Sequence, residues 1–494
     1  MRNFIRARRR FATAGVAFSL AALGGVQACR ATDLLETQDP DVIFPEDLDS
    51  PQGAEGLRLG ALSRLRTLAG GSGSAGENAW LYSGLLVDEF GSSSTFTQND
   101  ETDKRAVLVN NALVTSHFRD YHRARVAPLA ALEALRRHNA TDVVSAAEMF
   151  FVKGFAELSL AQDFCNGVPL SRGLSSEELT YGGPLNVVQV FDTARASFDS
   201  ALALLPASVT GTQATLIRNA ARVGKARALV GISRSNLAEA AALVGGATPV
   251  PTNFAYNSTF VVGTGDNQIW AFTTSNRRYT IGDSVEGNAR NIRVLNAIPF
   301  VSARDPRVPA DYVRQNIVRD AAGNITRADT VRGQDGQTYA RVQTRYGRSD
   351  PLAIVNSIDA RLIQAEAQME AGNFATPATG TLAILNALRQ GPTRVGGSDN
   401  SPLNVSNMAA LTDPGTPEAR EDLFFREKAF WTFGRGQRLN DLRRLVRQYQ
   451  RAPTATFPFG PYYKGGDYGP DMNFPVPQAE LNNPQAQTCT NRDA

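Results

Sequence analysis

The chain has 494 residues, of which 42% are hydrophobic and 20% are charged, a balance that permits a large buried core and excludes an intrinsically disordered protein. The formal net charge is +3, but five of the 51 basic residues are arginines that precede Cys29, where no acidic residue occurs. Without that segment 46 basic residues face 48 acidic ones, a net charge of about −2, so there is no electrostatic basis for binding nucleic acid or coating an anionic bilayer.

The N-terminus has the pattern of a secretory signal. A basic run, Arg6–Arg10, precedes an apolar stretch, Phe11–Leu23, that is too short for a bilayer-spanning helix. Val26-Gln27-Ala28-Cys29 follows and resembles a bacterial lipobox, in which the cysteine directly after the cut is acylated. We therefore expect residues 1–28 to be a signal peptide and Cys29 to be the lipidation site. Ordinary cleavage that leaves a free thiol is the alternative.

Residues 29–50 are predicted to form a lipidated tether. The run Asp33–Asp41 is acidic and has no helical periodicity, so acyl chains on Cys29 would hold a folded body close to a membrane. Two further cysteines, Cys165 and Cys489, would then lie in a compartment that permits disulfides. They are either bonded to each other or two separate thiols.

Apolar residues at spacings of three and four predict a mainly α-helical body. The amphipathic patterns cover Asn110 to about His138, the segment from about Asp142, Val188–Leu205, the segment from about Leu216, and Leu237–Val244. Small residues recur on the packed faces of these helices: Ala147, Gly154, Ala161, Ala221, Gly224 and Ala228. Such faces are typical of tetratricopeptide-like stacks, and no strict 34-residue signature repeats, so we predict a degenerate helical-repeat frame over 51–250.

The composition changes between 251 and 352 to Thr, Asn, Gly, Asp and aromatic residues, which predicts a loop-rich insertion with short strands. A third region, 353–494, is expected to hold C-terminal helices and an ordered tail. Thr416 followed by Pro417 predicts a helix start with a hydroxyl cap, and Gly434 should end that helix. The tail beyond Arg451 is expected to be anchored by Phe457, Phe459, Tyr462, Tyr463 and Phe474.

Patterns for catalysis and metal binding are sparse. The histidines all fall in the first long helical pattern, and none has a second ligand type at a metal-binding spacing. Adjacent acids occur as Asp88-Glu89 and Glu177-Glu178, but a glycosidase needs two carboxylates about 5 to 10 Å apart, and neighbours on a helix point in different directions. We expect no enzymatic activity, no cofactor and no metal; a secreted glycan hydrolase is the least favoured alternative.

Two loop segments have the composition of a sugar-binding site. Sugars present flat apolar faces edged by hydroxyls, so their sites combine exposed rings with amide and guanidinium groups. The candidate ligand-binding residues are Phe96, Gln98 and Asn99 in the first segment, and Trp270, Asn276, Arg277, Arg278 and Tyr279 in the second. The alternative is that these rings only pin the loops to the helices.

A set of short motifs resembles the SusD/RagB family of nutrient-uptake lipoproteins. In chain order they are Ala146–Phe151 through Ala161–Leu170, Asp305-Pro306-Arg307, Arg426–Trp431, Arg438–Arg444, and Phe474–Pro477 with Glu480 and Asn483-Pro484. Together with the lipobox they span nearly the whole chain. Two departures occur, since Thr432-Phe433-Gly434 stands where the family often has Phe-Glu-Gly, and Cys165 occupies a position that is usually not cysteine.

The resemblance implies a helical, tetratricopeptide-like frame, lipid-anchored in the outer membrane and facing outside. It implies a partner, a TonB-dependent β-barrel transporter of the SusC type, over which the protein lies as a lid. The ligand, an oligosaccharide or an oligopeptide, would be bound between lid and barrel and passed to the transporter. The family motifs are structural and transfer no ligand-contacting residue. The rival interpretation is a surface scaffold that uses its helical stack to organise other proteins.

Overall fold

Helices dominate the structure, a computed structural model that describes residues 49–71, 77–173, 179–262, 265–286, 290–486 and 488–494. Cys29 and the pair Glu177-Glu178 lie outside these residues. Pro51–Ala494 form one compact unit, and the predicted boundaries inside it, at 250 and 352, stay a prediction. None of the helices that the structure describes combines the length and apolar character needed to cross a membrane.

The N-terminal part is a stack of antiparallel helices. Its members are α1 (Pro51–Gly70), α2 (Ala79–Leu85), α3 (Thr97–Asp103), α4 (Ala112–His138), α5 (Val143–Asp163), α6 (Val187–Leu204), α7 (Thr212–Ile232) and α8 (Leu237–Gly245). Helix α1 packs on α4, and from α4 to α8 each helix packs on the next. The five helices predicted from periodicity are confirmed as α4 to α8. Helix α1 gave no such signal because four glycines interrupt its sequence.

Small residues allow α5, α6 and α7 to approach closely. The ring of Phe198 on α6 lies against Gly154 of α5 and Gly224 of α7. A methyl group at Gly224 would lie 2.5 Å from that ring, and one at Gly154 would lie 3.0 Å from it. The predicted role of these two glycines in helix packing is therefore confirmed.

Short strands form antiparallel pairs, most of which include at least one strand of the insertion. Strand β1 (Phe90–Ser92) pairs with β5 (Tyr279–Ile281), and Ser92 lies opposite Tyr279. Strand β4 (Ala255–Ser258) pairs with β12 (Leu352–Asn356), so the insertion leaves and rejoins the helical frame at one place. The other pairs are β2 (Val168–Pro169) with β3 (Pro184–Leu185), β6 (Val285–Glu286) with β7 (Ile292–Arg293), β8 (Ala310–Tyr312) with β11 (Arg341–Gln343), and β9 (Arg314–Arg319) with β10 (Ile325–Thr330). A short helix, α9 (Gln268–Trp270), continues into a π-helical turn over Ala271–Ser275.

The helical stack resumes after the insertion. It comprises α10 (Ser357–Glu370), which packs on α8, and α11 (Thr381–Gln390), followed by the hairpin β13 (Thr393–Gly397) and β14 (Pro402–Val405), then α12 (Pro417–Thr432) and α13 (Arg438–Arg447). The hydroxyl of Thr416 accepts a hydrogen bond from the backbone N–H of Ala419, which confirms the predicted cap. Gly434 follows the end of α12 with a φ of 69°, a conformation that favours glycine.

The tail is bound to the end of α5. A disulfide joins Cys165 to Cys489, and the backbone N–H of Cys165 donates to the carbonyl of Phe474. The predicted anchors Phe457, Tyr462, Tyr463 and Phe474 are buried. Phe459 is 41% exposed, so its prediction as an anchor is wrong: its backbone pairs with Leu295 and its ring faces solvent.

Candidate ligand-binding site

The two loop segments that the sequence singled out meet in space, although they lie about 180 residues apart. The pairing of β1 with β5 places the loop after β1 beside the turn before β5. The backbone N–H of Ser93 donates to the carbonyl of Arg278, and its hydroxyl donates to the carbonyl of Arg277. We call the exposed and partly exposed side chains at this junction the paired-loop surface; they are Phe96, Gln98, Asn276, Arg277, Arg278 and Lys464.

An aromatic ring supported by a cation forms the centre of this surface. The Phe96 side chain is 42% exposed, and the guanidinium carbon of Arg278 lies 4.6 Å from its ring centroid. The same guanidinium lies 5.4 Å from the ring of Phe272, which is buried. Arg278 therefore lies against both rings and supports Phe96, whose exposed part remains available to a ligand.

A buried carboxyl group holds Arg278 in this position. Glu77 Oε1 lies 3.7 Å from Arg278 Nη1 and accepts a hydrogen bond from the side-chain amide of Asn99. Burial raises the pKa of Glu77, and the hydrogen bond from Asn99 and the charge of Arg278 partly oppose that shift. Asn99 is thus a supporting residue under the surface.

The C-terminal tail completes the surface with a cation. Lys464 Nζ lies 2.6 Å from Asp100 Oδ1 and 3.1 Å from Asp335 Oδ2, and it donates to the carbonyl of Ser94. No sequence pattern indicates this placement, because Lys464 follows the ring pair Tyr462-Tyr463 in a segment without periodicity. Its position depends on the fold of the tail.

Three of the residues that were predicted to contact a ligand are not part of the paired-loop surface. Tyr279 and Asn99 are buried, so their prediction as exposed contacts is wrong. All three residues of β5 are buried, and the ring of Tyr279 packs against the rings of Phe90 and Phe272. Trp270 is partly buried beside Arg348, 5.8 Å from its guanidinium carbon. Among the described residues no ring contact or hydrogen bond joins Trp270 to Phe96.

The adjacent acids Asp88 and Glu89 are both buried and face different partners. Both oxygens of Asp88 accept hydrogen bonds from Arg438, at 2.8 and 2.9 Å. Glu89 Oε1 accepts the backbone N–H of Gly434, and burial raises the pKa of Glu89 to about 8. Since neither carboxyl reaches solvent, their geometry offers no access to a glycosidic bond.

Two of the histidines, His117 and His122, are buried packing residues. The ring of His117 lies 4.7 Å from that of Tyr82, and the ring of His122 lies 4.5 Å from that of Phe118. Burial lowers the pKa of His117 to about 4 and that of His122 to about 3, so both are neutral at physiological pH. Within the described ranges no group of three or more His, Cys, Asp or Glu residues could hold a metal ion.

A separate cleft lies between α10, α11 and the strands β4, β12 and β13. Its volume is about 700 Å³, and no residue of the paired-loop surface lines it. Arg361 of α10 and Asn257 of β4 are on its walls. No sequence pattern indicates this cleft, because its lining comes from segments at both ends of the insertion and beyond it.

Comparison with solved structures shows the same architecture in proteins from Bacteroides. A SusD-like carbohydrate-binding protein from Bacteroides fragilis superposes with a TM-score of 0.61 at 14% identity, over 89% of this chain and 99% of that one. Surface glycan-binding protein A from Bacteroides uniformis superposes with a TM-score of 0.56 at 14% identity, over 89% of this chain and 99% of that one. A SusD superfamily protein from Bacteroides vulgatus superposes with a TM-score of 0.53 at 16% identity, over 88% of this chain and 98% of that one.

This chain has the SusD-like fold. The similarity extends over almost the full length of each of these proteins, so the match covers the helical stack, the insertion and the C-terminal helices together. No protein-family model matches the sequence, and no curated protein matches it.

Within the SusD-like fold, several of the sequence motifs form buried ion pairs. Arg307 of the Asp-Pro-Arg motif donates to Asp305 at 2.7 and 2.8 Å and to Glu427 of α12 at 2.6 and 3.1 Å. Lys428 of α12 donates to Asp441 of α13 at 2.6 Å. These motifs therefore connect elements inside the protein. This explains why they indicate the fold but do not indicate which residues contact a ligand.

Proposed function

We propose that the protein is a surface lipoprotein of the SusD/RagB kind that binds oligosaccharide at the paired-loop surface. The observation that carries the proposal is the convergence of two distant loops around Phe96. An exposed ring held against a guanidinium, next to amide and cationic side chains, suits the apolar face and the hydroxyls of a sugar. The carbohydrate-binding and glycan-binding relatives with the same fold support this choice of ligand class.

We further propose that the bound nutrient is delivered to a TonB-dependent β-barrel of the SusC type. Acyl chains on Cys29 would anchor the protein in the outer membrane, facing outside, and keep it at high local concentration beside the barrel. The protein itself performs no chemistry in this scheme. The energy for transport comes from the machinery of the barrel.

Binding of neutral oligosaccharides to the purified protein tests the ligand class. We expect saturable binding in calorimetry with at least one glycan of a panel, and Phe96→Ala should weaken it about tenfold or more, since ring stacking and cation–π support are lost. The matched control is Phe459→Ala, because Phe459 is 41% exposed on a different surface. Binding of oligopeptides alone, or equal effects of the two substitutions, would contradict the proposal.

Anchoring and delivery require a separate test in cells. We expect mass spectrometry to find acyl chains on Cys29 and detergent extracts to yield a complex with a large β-barrel. Cys29→Ser should release the protein from the membrane fraction without changing its affinity for glycan in solution. A mature protein without acyl groups and without a barrel partner would favour the scaffold interpretation and remove the delivery step.

A further inference from the structure

The cleft between α10 and α11 has the size of a binding site for a small ligand. Its volume of about 700 Å³ lies within the range of about 300 to 1,000 Å³ that is usual for ligand pockets. It is open to solvent on one side, where the lining residues Asn253, Asn257 and Ala387 are exposed. A ligand can therefore enter without rearrangement of the helices.

The charges that line the cleft are all positive. Arg361, Arg394 and Arg435 are on its walls, and none of the lining residues that the structure describes is an aspartate or a glutamate. Two of these arginines have carboxylate partners that do not line the cleft. Arg435 donates to both oxygens of Asp359, at 3.0 and 2.7 Å, and Arg394 donates to Asp399 at 2.8 Å.

Arg361 is the exception, because its partners are uncharged. It donates to Gln364 Oε1 at 2.6 Å and to the carbonyl of Val250 at 2.8 Å. No carboxylate among the described residues pairs with it, and partial burial lowers its pKa. These two bonds use two of the five N–H groups of the guanidinium, so three remain for a ligand. The planar fork of a guanidinium can bind a carboxylate with two parallel hydrogen bonds.

The remaining walls suit a sugar ring. Helix α11 contributes the apolar side chains of Ala383, Ile384 and Ala387, against which the flat face of a ring can pack. Asn253 and Asn257 contribute amides that form no side-chain hydrogen bonds within the described part of the chain. Amides can donate to and accept from hydroxyl groups. An apolar wall, free amides and one unpaired guanidinium together match a ring that carries hydroxyls and one carboxylate.

We propose that this cleft is a second binding site, specific for a uronic acid unit, with its carboxylate on Arg361 and its ring against α11. The site is independent of the paired-loop surface and does not rest on the function proposed for it. It would allow the protein to discriminate acidic from neutral glycans.

The test compares two probes that differ only at C6, methyl α-D-galacturonide and methyl α-D-galactoside. We expect the full-length protein to bind the galacturonide in calorimetry and saturation-transfer NMR. Its affinity for the galactoside should be lower by about tenfold or more, because a charge-assisted bidentate contact is lost. Arg361→Gln should remove this preference. Phe96→Ala should leave it unchanged, which separates this site from the paired-loop surface.

A steric variant provides the second measurement. Ala387→Trp should fill the cleft and abolish galacturonide binding, whereas Ala371→Trp, at an exposed position outside the cleft, should not. Circular dichroism and thermal melts establish that both variants fold. The proposal is overturned if the wild-type protein does not bind the galacturonide, if it binds both sugars equally, or if binding survives both Arg361→Gln and Ala387→Trp. Preferential binding of N-acetyl-trialanine, a peptide carboxylate, overturns the choice of a sugar acid.

Discussion

Glu89 is a carboxyl group with almost no contact with water. Its Oε1 accepts one backbone hydrogen bond from Gly434, its Oε2 has no partner, and burial raises its pKa to about 8. Between its ordinary pKa of 4.5 and about 8, the folded protein therefore retains a proton that the unfolded chain releases. Linkage then requires the contribution of Glu89 to the free energy of unfolding to fall as the pH rises through that interval.

Glu89→Gln should remove this pH dependence. We expect the variant to be more stable than the wild type at pH 8, by on the order of 2 kcal/mol, and to differ little from it near pH 4.5, where both side chains are neutral. Urea titrations at both pH values measure the difference. Glu239→Gln, at an exposed position on α8, is the control and should leave the free energy of unfolding almost unchanged at both pH values. A Glu89→Gln variant that is no more stable than the wild type at pH 8 would contradict the prediction and show that Glu89 is ionised in the folded protein.

The buried ion pairs make a second prediction at the residue scale. Asp359→Asn leaves the charge of Arg435 buried, where only 3% of its side chain is exposed, without its ionic partner. We expect a loss of about 3 to 5 kcal/mol in the free energy of unfolding. The control is Asp399→Asn, which removes the partner of Arg394 at an exposed site and should cost less than about 1 kcal/mol. Similar losses for the two variants would contradict the prediction.

At the scale of secondary-structure elements, the close packing of α5, α6 and α7 depends on glycine. Phe198 occupies the space that side chains at Gly154 and Gly224 would need. A large ring against two glycines brings three helices together around one side chain. Elsewhere the stack contains glycines with no such role, among them Gly60 of α1, which has no heavy atom within 4 Å of the position of an added methyl group.

Opposite results are therefore expected for the same substitution at two helical glycines. Gly224→Ala should lower the free energy of unfolding by about 1 to 3 kcal/mol, because the new methyl group overlaps the ring of Phe198. Gly60→Ala should raise it by about 0.5 to 1 kcal/mol, because it restricts the unfolded chain and meets no neighbour. Chemical denaturation of both variants provides the measurement, and a stabilising Gly224→Ala would mean that the helices can separate at low cost.

At the scale of the whole molecule, the disulfide Cys165–Cys489 ties the C-terminal tail to the end of α5, 324 residues away in sequence. The tail also supplies Lys464 to the paired-loop surface. The position of the side chains of the paired-loop surface consequently depends on a segment that has little regular secondary structure. The disulfide and the buried rings of Phe457 and Phe474 replace helix packing in holding it.

Reduction should destabilise the protein. We expect the double variant Cys165→Ala/Cys489→Ala to lose about 2 to 4 kcal/mol, because opening the bond enlarges the unfolded ensemble. The wild type in dithiothreitol should melt at the temperature of this variant, and the variant should be insensitive to the reagent. A wild-type melting temperature that reductant leaves unchanged would contradict the prediction.

The sequence by itself determined the helices and the fold class. Helical periodicity is a local property, so α4 to α8 and the cap at Thr416 were found within a few residues of their ends. The ordered motifs were sufficient to identify the SusD-like fold. Phe96, Asn276 and Arg277 also lie on exposed or partly exposed loops, as a ring among amides and arginines in the composition predicts. Gln98 is partly exposed but lies on α3, so its prediction as a loop residue is wrong. That these side chains contact a ligand stays a prediction.

Only the tertiary structure decided which of these side chains share a surface. The pairing of β1 with β5 joins residues about 180 positions apart, and β5 turns Tyr279 inward while Arg278 faces outward. Strands of three residues carry too little alternation to set that direction in advance. The cleft could not be predicted from the sequence either. Arg361 has no carboxylate partner among the described residues, and the charge balance at a site depends on which distant carboxylates the fold places beside it.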